Sequence, residues 1–254
     1  MVSTRHHPKS FPAPATSTGT SPSPPPDSPI SVVVPSPQKR KANRSGTKQS
    51  DVTQHTYSHK IAPLLMIWLF VSLPLVTWDT GYMLMRPHTM PGGKLHSPIW
   101  TPYALYGTVD YIYGWPAWDN HVGFSAAQAS LNAVENVMYI YYLITILGNG
   151  AQNFFAAETM GEFFVGSKSN TVSGPGVAKA VLLLFAATVM TLSKTVLYWL
   201  NEYFSGYSNI GHNTVYRLIV LWILPNGLWL IFPTYMIWVL GKEIVAHMDS
   251  VDAE

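Results

Sequence analysis

The chain has 254 residues, of which 48% are hydrophobic and only 11% charged, and its formal net charge is +2. Soluble domains carry roughly 25% charged residues, so this composition predicts an integral membrane protein. The chain has no cysteine, which excludes a disulfide framework, thiolate metal sites, iron–sulfur clusters and a cysteine nucleophile.

Residues 1–60 are rich in Pro, Ser and Thr and offer little that a core could bury. We expect this segment to be a disordered, basic tail. Its basic cluster, Lys39, Arg40, Lys41, Arg44 and Lys48, shortly precedes the first apolar stretch. Topogenic charge is therefore favoured over a nuclear signal, and we expect the N-terminus to lie in the cytosol.

Four long apolar stretches follow, at residues 61–84, 123–147, 177–200 and 215–240. Each exceeds the roughly 20 residues that a helix needs to cross a bilayer. Because backbone groups cannot stay unpaired in lipid, we expect an all-α membrane protein built as a four-transmembrane-helix bundle. This domain covers residues 61–245, a short tail covers residues 246–254, and four crossings return the C-terminus to the cytosol.

Three ionisable residues, Asp79, Glu135 and Lys194, lie inside these apolar stretches. Charge is expensive in the hydrocarbon core, so each of them is a candidate for function. At about 1.5 Å per residue, Asp79 and Lys194 lie roughly 7–9 Å from the non-cytosolic end of their helices. Glu135 and Asn226 lie deeper, roughly 17–18 Å from the same side.

This layering predicts an ion pair between Asp79 and Lys194, which either serves the chemistry or only joins the first and third helices. Glu135 then has no cation at its level. We expect Glu135 to be protonated and to act as a proton donor, because burial without a positive partner disfavours a carboxylate.

Aromatic residues are distributed over all four stretches. Trp229 follows Asn226 by nearly one turn, which places both side chains on nearly the same helix face. An aromatic ring face beside a buried acid stabilises a cation by about 2 kcal/mol. We expect Asn226 and Trp229, together with Tyr82, Tyr139, Lys194 and Thr195, to line a ligand cavity.

The loop at residues 86–121 is too polar to span a membrane, yet it is rich in Trp and Tyr. We expect it to be ordered, with a short helix that covers one end of the bundle. Asp110 lies among its aromatic residues, where an orienting or capping role is favoured over catalysis. No glycine-rich phosphate loop follows a strand, and we expect no metal, nucleotide cofactor or nucleic-acid partner.

Several motifs over residues 61–244 resemble the EXPERA-domain family, which includes the emopamil-binding sterol Δ8–Δ7 isomerases and the sigma-2 receptor. In chain order they are WDTGYMLMRP at residues 78–87, WTPYALYGTVDYIYG at residues 100–114, Glu135, TVLYWLNEY at residues 195–203, the pair Gly211 and His212, and NGLWLIFP at residues 226–233. Fungal members of the family share the DTGY, RPH and PGGK elements of this chain.

The resemblance implies that Asp79 and Glu135 protonate a sterol alkene and remove a proton from the neighbouring carbon. It also implies that Asn226 and Trp229 line the cavity, that the ligand enters from the bilayer, and that the protein is a homodimer of the endoplasmic reticulum. The chain departs from the isomerases at Leu75, where they have a histidine. It departs again at Lys194 and Thr195, where they have an acid, and Lys194 brings a cation to the cavity.

The sequence therefore predicts a membrane-embedded isomerase that moves a double bond in a sterol or terpenoid taken from the membrane lipid, without a cofactor. In this interpretation Glu135 delivers a proton and Asp79 removes or relays one. One alternative is a proton-initiated terpenoid cyclase. The other is a sterol-binding or trafficking protein without turnover, like the sigma-2 receptor, which Lys194 and the missing histidine favour.

Overall fold

The computed structural model describes residues 57–252, which are mostly helical. The basic cluster and residues 1–56 of the predicted tail lie outside the described residues. The last residues of that predicted tail, Ser58–Lys60, form a strand, so the folded part begins before residue 61. At the other end, the last helix continues to Asp252 through most of the predicted C-terminal tail.

The elements follow one another in the order β1 (Ser58–Lys60), α1 (Pro63–Leu84), α2 (Pro102–Val109), α3 (Trp115–Asp119), α4 (Phe124–Gly148), α5 (Met160–Val165), β2 (Thr171–Ser173), α6 (Val177–Phe204), α7 (Val215–Leu218), a π-helical turn (Ile219–Ile223) and α8 (Leu224–Asp252). Proline begins α1, and α2 and α3 also have proline in the first turn, where the missing amide hydrogen costs no helical hydrogen bond.

Within the described residues, three helices are long and apolar enough to cross a membrane: Pro63–Leu84, Val177–Phe204 and Val215–Ser250. The fourth predicted stretch also forms a long helix, α4, but that helix is amphipathic. Its inward side chains are spaced alternately three and four residues apart, which aligns them on one face. We call this set the α4 polar stripe; it consists of Ser125, Gln128, Asn132, Glu135, Tyr139 and Tyr142. The other sides of α4 expose apolar side chains, including Val134, Val137, Ile144 and Leu147.

The long helices pack in sequence, with α1 against α4, α4 against α6, and α6 against α8. The two strands lie at one end of this bundle, which we call the strand end. The helices α2 and α3 lie at the other, the loop end. The largest apolar core is at the strand end and includes Leu65, Leu69, Ile146, Leu184 and Leu240.

A buried histidine joins three elements at the strand end. β1 pairs antiparallel with β2, with Ser58 opposite Ser173. His59, fully buried, has its Nδ1 atom 2.8 Å from Glu243 Oε1 of α8 and its Nε2 atom 2.8 Å from the Tyr142 hydroxyl of α4. Both ring nitrogens are therefore used in holding β1, α4 and α8 together.

We expect His59→Ala to lower the free energy of unfolding by about 2 kcal/mol, because it leaves the buried Tyr142 hydroxyl without its partner. Thermal unfolding in detergent, followed by helical circular dichroism, measures the change. Lys60→Ala is the matched control, since Lys60 is the exposed neighbour in the same strand. Equal stability of the two variants would contradict the role given to His59.

Candidate functional site

A cavity of about 490 Å³ lies at the loop end, between α1, α2, α4, α6 and α8. Its volume falls within the roughly 300–1,000 Å³ typical of small-molecule sites. Six aromatic side chains line it: Trp78, Tyr103, Tyr106, Tyr113, Tyr198 and Trp229. Six polar side chains also reach it: Asp79, Gln128, Asn132, Lys194, Thr195 and Asn226. Asp79 is the only carboxyl among the described residues that line this cavity.

Asp79 is held by a tyrosine of the loop. The Tyr103 hydroxyl donates a hydrogen bond to Asp79 Oδ1 at 2.5 Å. The Tyr103 ring stacks on the Tyr82 ring, with the ring centroids 3.7 Å apart and the planes 7° from parallel. Tyr82 is fully buried and donates to the backbone oxygen of Tyr113 at 2.8 Å. Tyr82 therefore supports Tyr103 from behind, and the prediction that it lines the cavity is wrong.

The predicted ion pair between Lys194 and Asp79 is not formed. The Lys194 Nζ atom lies 2.9 Å from Glu135 Oε1 and 2.8 Å from Glu135 Oε2, and it also contacts Asn132 Oδ1. Two facts explain the wrong prediction. Helix boundaries read from sequence are uncertain by two to four residues, and a lysine side chain is long and flexible enough to reach an acid at another depth. The expectation that Glu135 has no cation at its level is also wrong.

Glu135 lies behind Lys194 and does not line the cavity, and it is only 2% exposed. The Thr191 hydroxyl donates to Glu135 Oε2 at 2.7 Å. The Tyr139 hydroxyl lies 2.9 Å from Thr191 Oγ1 on the far side. Tyr139 thus belongs to this buried network, and the prediction that it contacts a ligand is wrong as well.

Asn226, Trp229, Lys194 and Thr195 line the cavity. The Asn226 side chain donates to the backbone oxygen of Trp222 at 2.8 Å and approaches the Tyr106 hydroxyl at 3.4 Å. Thr195 donates to its own helix, at the backbone oxygen of Thr191, 2.8 Å away.

An aromatic cluster closes the cavity on the side of the strand end. Trp229 packs edge to face on Trp68 of α1, with the centroids 5.0 Å apart. Trp68 in turn stacks on Phe232 at 4.4 Å. These contacts join α1 directly to α8, the first and last helices in the packing order of the bundle.

Asp110 is the centre of a second buried network. It accepts hydrogen bonds from the Tyr198 hydroxyl, from Trp222 Nε1 at 2.9 Å and from the Ile112 amide at 3.0 Å. Burial raises the pKa of Asp110 to about 6, although these hydrogen bonds act in the opposite direction. Its predicted role in orienting neighbours is confirmed, because Tyr198 lines the cavity and Trp222 lies in the π-helical turn that leads to Asn226.

Arg86 fastens the loop to the bundle. Its guanidinium donates to the backbone oxygen of Ile112 at 3.1 Å and to Ser125 Oγ of α4 at 3.2 Å. The loop is therefore ordered against the helices. A helix is present in this loop as α2, which contributes Tyr103 and Tyr106 to the cavity wall.

The sequence interpretation missed most of the aromatic and two of the polar residues that line the cavity: Trp78, Tyr103, Tyr106, Tyr113, Tyr198, Gln128 and Asn132. Asn132 could have been found, because it precedes Glu135 by three residues and so shares its helix face. Nothing in the sequence indicates which of the many loop tyrosines reaches Asp79. Across residues 57–252, no group of three His, Asp or Glu side chains is arranged to hold a metal ion.

No family model, curated protein or solved structure matches the chain. The resemblance to the EXPERA family therefore stays a prediction that rests on the motifs.

We expect Asp110→Asn to lower the thermal unfolding temperature by roughly 4–8 °C, which corresponds to about 2 kcal/mol. An amide presents one acceptor atom in place of two, so either the Ile112 amide or the Tyr198 and Trp222 donors lose their acceptor. Thermal unfolding in detergent, followed by tryptophan fluorescence, measures the shift. Asp119→Asn is the control, because Asp119 is exposed; a shift of the same size in both variants would contradict this account.

Proposed function

We propose that this protein is a membrane-embedded isomerase that moves a double bond in a sterol or related terpenoid by protonation and deprotonation at a buried carboxyl. One observation carries the proposal: Asp79 is the only carboxyl among the described lining residues of a cavity whose walls are largely aromatic and aliphatic. A carboxyl in an apolar site suits acid catalysis on an alkene, since no water competes for the proton.

The lining of the cavity supports a largely apolar ligand. Leu75, Leu105 and Leu221 contribute to the wall alongside the six aromatic rings. Leu75 is 44% exposed and Leu105 is 54% exposed, so the rim of the cavity lies at the outer surface of the bundle. This position supports entry of the ligand from the membrane rather than from water.

The aromatic rings supply what the intermediate requires. Protonation of an alkene leaves a carbocation, and a ring face beside a cation in a dry site contributes about 2 kcal/mol. Trp78 and Tyr103 lie near Asp79, and Trp229 lies on the α8 wall. The aromatic rings can thus stabilise the carbocation of the ligand without a second anion in the cavity.

We further propose that α4 is the fourth membrane crossing, which places both termini on the same side of the membrane. The basic cluster at residues 39–48 supports the cytosolic side, and the family resemblance implies the endoplasmic reticulum. The α4 polar stripe faces inward and the other sides of the helix expose apolar side chains, which is the arrangement of a spanning helix with internal polar partners. Homodimer formation, implied by the family resemblance, stays a prediction.

A sterol-binding protein without turnover is the second candidate. The observation that favours it is the ion pair of Lys194 with Glu135, which removes from the cavity one of the two acids that the family resemblance implies. In that case Asp79 binds a ligand hydroxyl or amine and no bond is broken.

Turnover in deuterated water separates the two candidates. Purified protein in detergent is incubated with cholest-8-en-3β-ol, and the product is analysed by mass spectrometry. The isomerase proposal predicts a sterol with one shifted double bond that has taken up deuterium at the protonated carbon. We expect Asp79→Asn to reduce this turnover by about 10²–10⁴-fold, the usual contribution of a general acid.

Binding is measured in parallel, by energy transfer from tryptophan to the fluorescent sterol dehydroergosterol. The control variant is Asp119→Asn, which makes the same chemical change at an exposed site. Saturable sterol binding without product would reject the isomerase and leave the binding protein. Unchanged turnover in Asp79→Asn would reject Asp79 as the acid.

A further inference from the structure

The cation of Lys194 separates Glu135 from the cavity. An ammonium group has three donors, and three acceptors surround this one: Glu135 Oε1 at 2.9 Å, Glu135 Oε2 at 2.8 Å and Asn132 Oδ1. Lys194 lines the cavity, whereas Glu135 does not. A ligand in the cavity therefore contacts Lys194, whose three donors are already used. The ligand does not contact the Glu135 carboxylate, which lies behind Lys194.

The neighbours of Glu135 are arranged as donors. Lys194 serves both carboxylate oxygens, and the Thr191 hydroxyl serves Oε2 at 2.7 Å. The Tyr139 hydroxyl lies 2.9 Å from Thr191 Oγ1, and either oxygen can be the donor of that hydrogen bond. A carboxylate that accepts from an ammonium and a hydroxyl has no proton to deliver.

Asp79 is placed differently. It lines the cavity, and its hydrogen bond from Tyr103 at 2.5 Å fixes the orientation of the carboxyl. Lys194 forms its salt bridge with Glu135, and no salt bridge among the described residues includes Asp79. Asp79 is thus the acid that can exchange a proton with a ligand.

We infer that a single carboxyl, that of Asp79, acts as both acid and base, and that Lys194 is a positioning residue that keeps Glu135 out of the reaction. This inference rests on the proposed isomerase function and assigns its proton transfers.

The proton balance closes on Asp79 alone. The carboxyl O–H bond breaks as the alkene π pair forms a C–H bond, leaving a carbocation and the Asp79 carboxylate. A C–H bond on the carbon next to the cation then breaks, its electron pair forms the shifted double bond, and its proton returns to Asp79. No second base takes part, so the proton is added and removed on the same face of the ligand.

The wild-type protein tests the stereochemistry directly. Cholest-8-en-3β-ol is prepared with deuterium on one or the other face of carbon 7, and turnover is run in water and in deuterated water. The single-carboxyl inference predicts that the proton lost from carbon 7 and the proton gained at carbon 9 lie on the same face. Loss from the opposite face requires a second base and would overturn it.

Variants of the ion pair supply the second readout. Glu135→Gln combined with Lys194→Met removes both charges together, which a buried site tolerates far better than the loss of one partner. We expect this double variant to keep the shape of the wild-type pH profile, because the proton transfers stay with Asp79. Lys194→Met alone frees Glu135, and its pH profile is expected to show one additional ionisation that is absent from the double variant.

The outcomes distinguish the two proposals. Absence of turnover by the wild-type protein would overturn the isomerase proposal and this inference together. Turnover by the wild type whose pH profile shows an ionisation that the double variant lacks, with dehydroergosterol binding retained, would overturn only the single-carboxyl inference. Identical pH profiles of the wild type and Lys194→Met would show that Lys194 does not restrain Glu135.

Discussion

The ion pair between Lys194 and Glu135 links the two central helices of the bundle, α4 and α6. The side chain of Glu135 is 3% exposed and that of Lys194 is 10% exposed. Each charge alone is costly in such surroundings, and losing one partner of a buried pair typically costs about 3–5 kcal/mol. The register of α4 against α6 is therefore strongly constrained, because sliding either helix separates the charges. Asn132 and Thr191 complete the coordination of the pair from the same two helices.

The rest of the α4 polar stripe extends this constraint along the helix. At the strand end Tyr142 contacts His59, which is paired with Glu243 of α8. At the loop end Ser125 contacts Arg86, which in turn holds Ile112 of the loop. The stripe thus connects the termini of the bundle, its centre and its covering loop. The cavity wall that contains Asp79 and Tyr103 is built on this framework, which keeps the acid in place before a ligand arrives.

The sequence was sufficient for features that depend on composition and helical spacing. Three of the spanning stretches, the shared face of Asn226 and Trp229, the ordered aromatic loop and the orienting role of Asp110 all follow from such local patterns. It was not sufficient for features that depend on helix rotation and side-chain reach. The partner of Lys194, the burial of Tyr82 behind Tyr103 and the burial of Tyr139 behind Glu135 require knowing which faces meet. A helix that is apolar on most sides gives no such information.

The sequence predicted the wrong partner for Lys194. This error affects the proposed chemistry more than the predicted fold. Counting residues along a helix gives the depth of the Cα atom of Lys194, but not the direction of its side chain. Asp79 is the acid nearest to that depth, so the count pairs Lys194 with Asp79. In the structure Lys194 instead reaches Glu135, so the acid that was expected to be free is paired and the acid that was expected to be paired faces the cavity. In the proposed isomerase, Asp79 therefore takes the role of proton donor that the sequence interpretation gave to Glu135.

Infrared spectroscopy of the wild-type protein and of the Glu135→Gln, Lys194→Met double variant at neutral pH tests this assignment most directly. The two protonation states of a carboxyl absorb in separate regions of the infrared spectrum. The protonated form gives a C=O stretch, and the carboxylate gives an antisymmetric and a symmetric stretch. The account predicts that the double variant loses carboxylate absorption and leaves the protonated C=O region unchanged. Loss of a protonated C=O band in the double variant would contradict the ion pair on which the cavity and its chemistry depend.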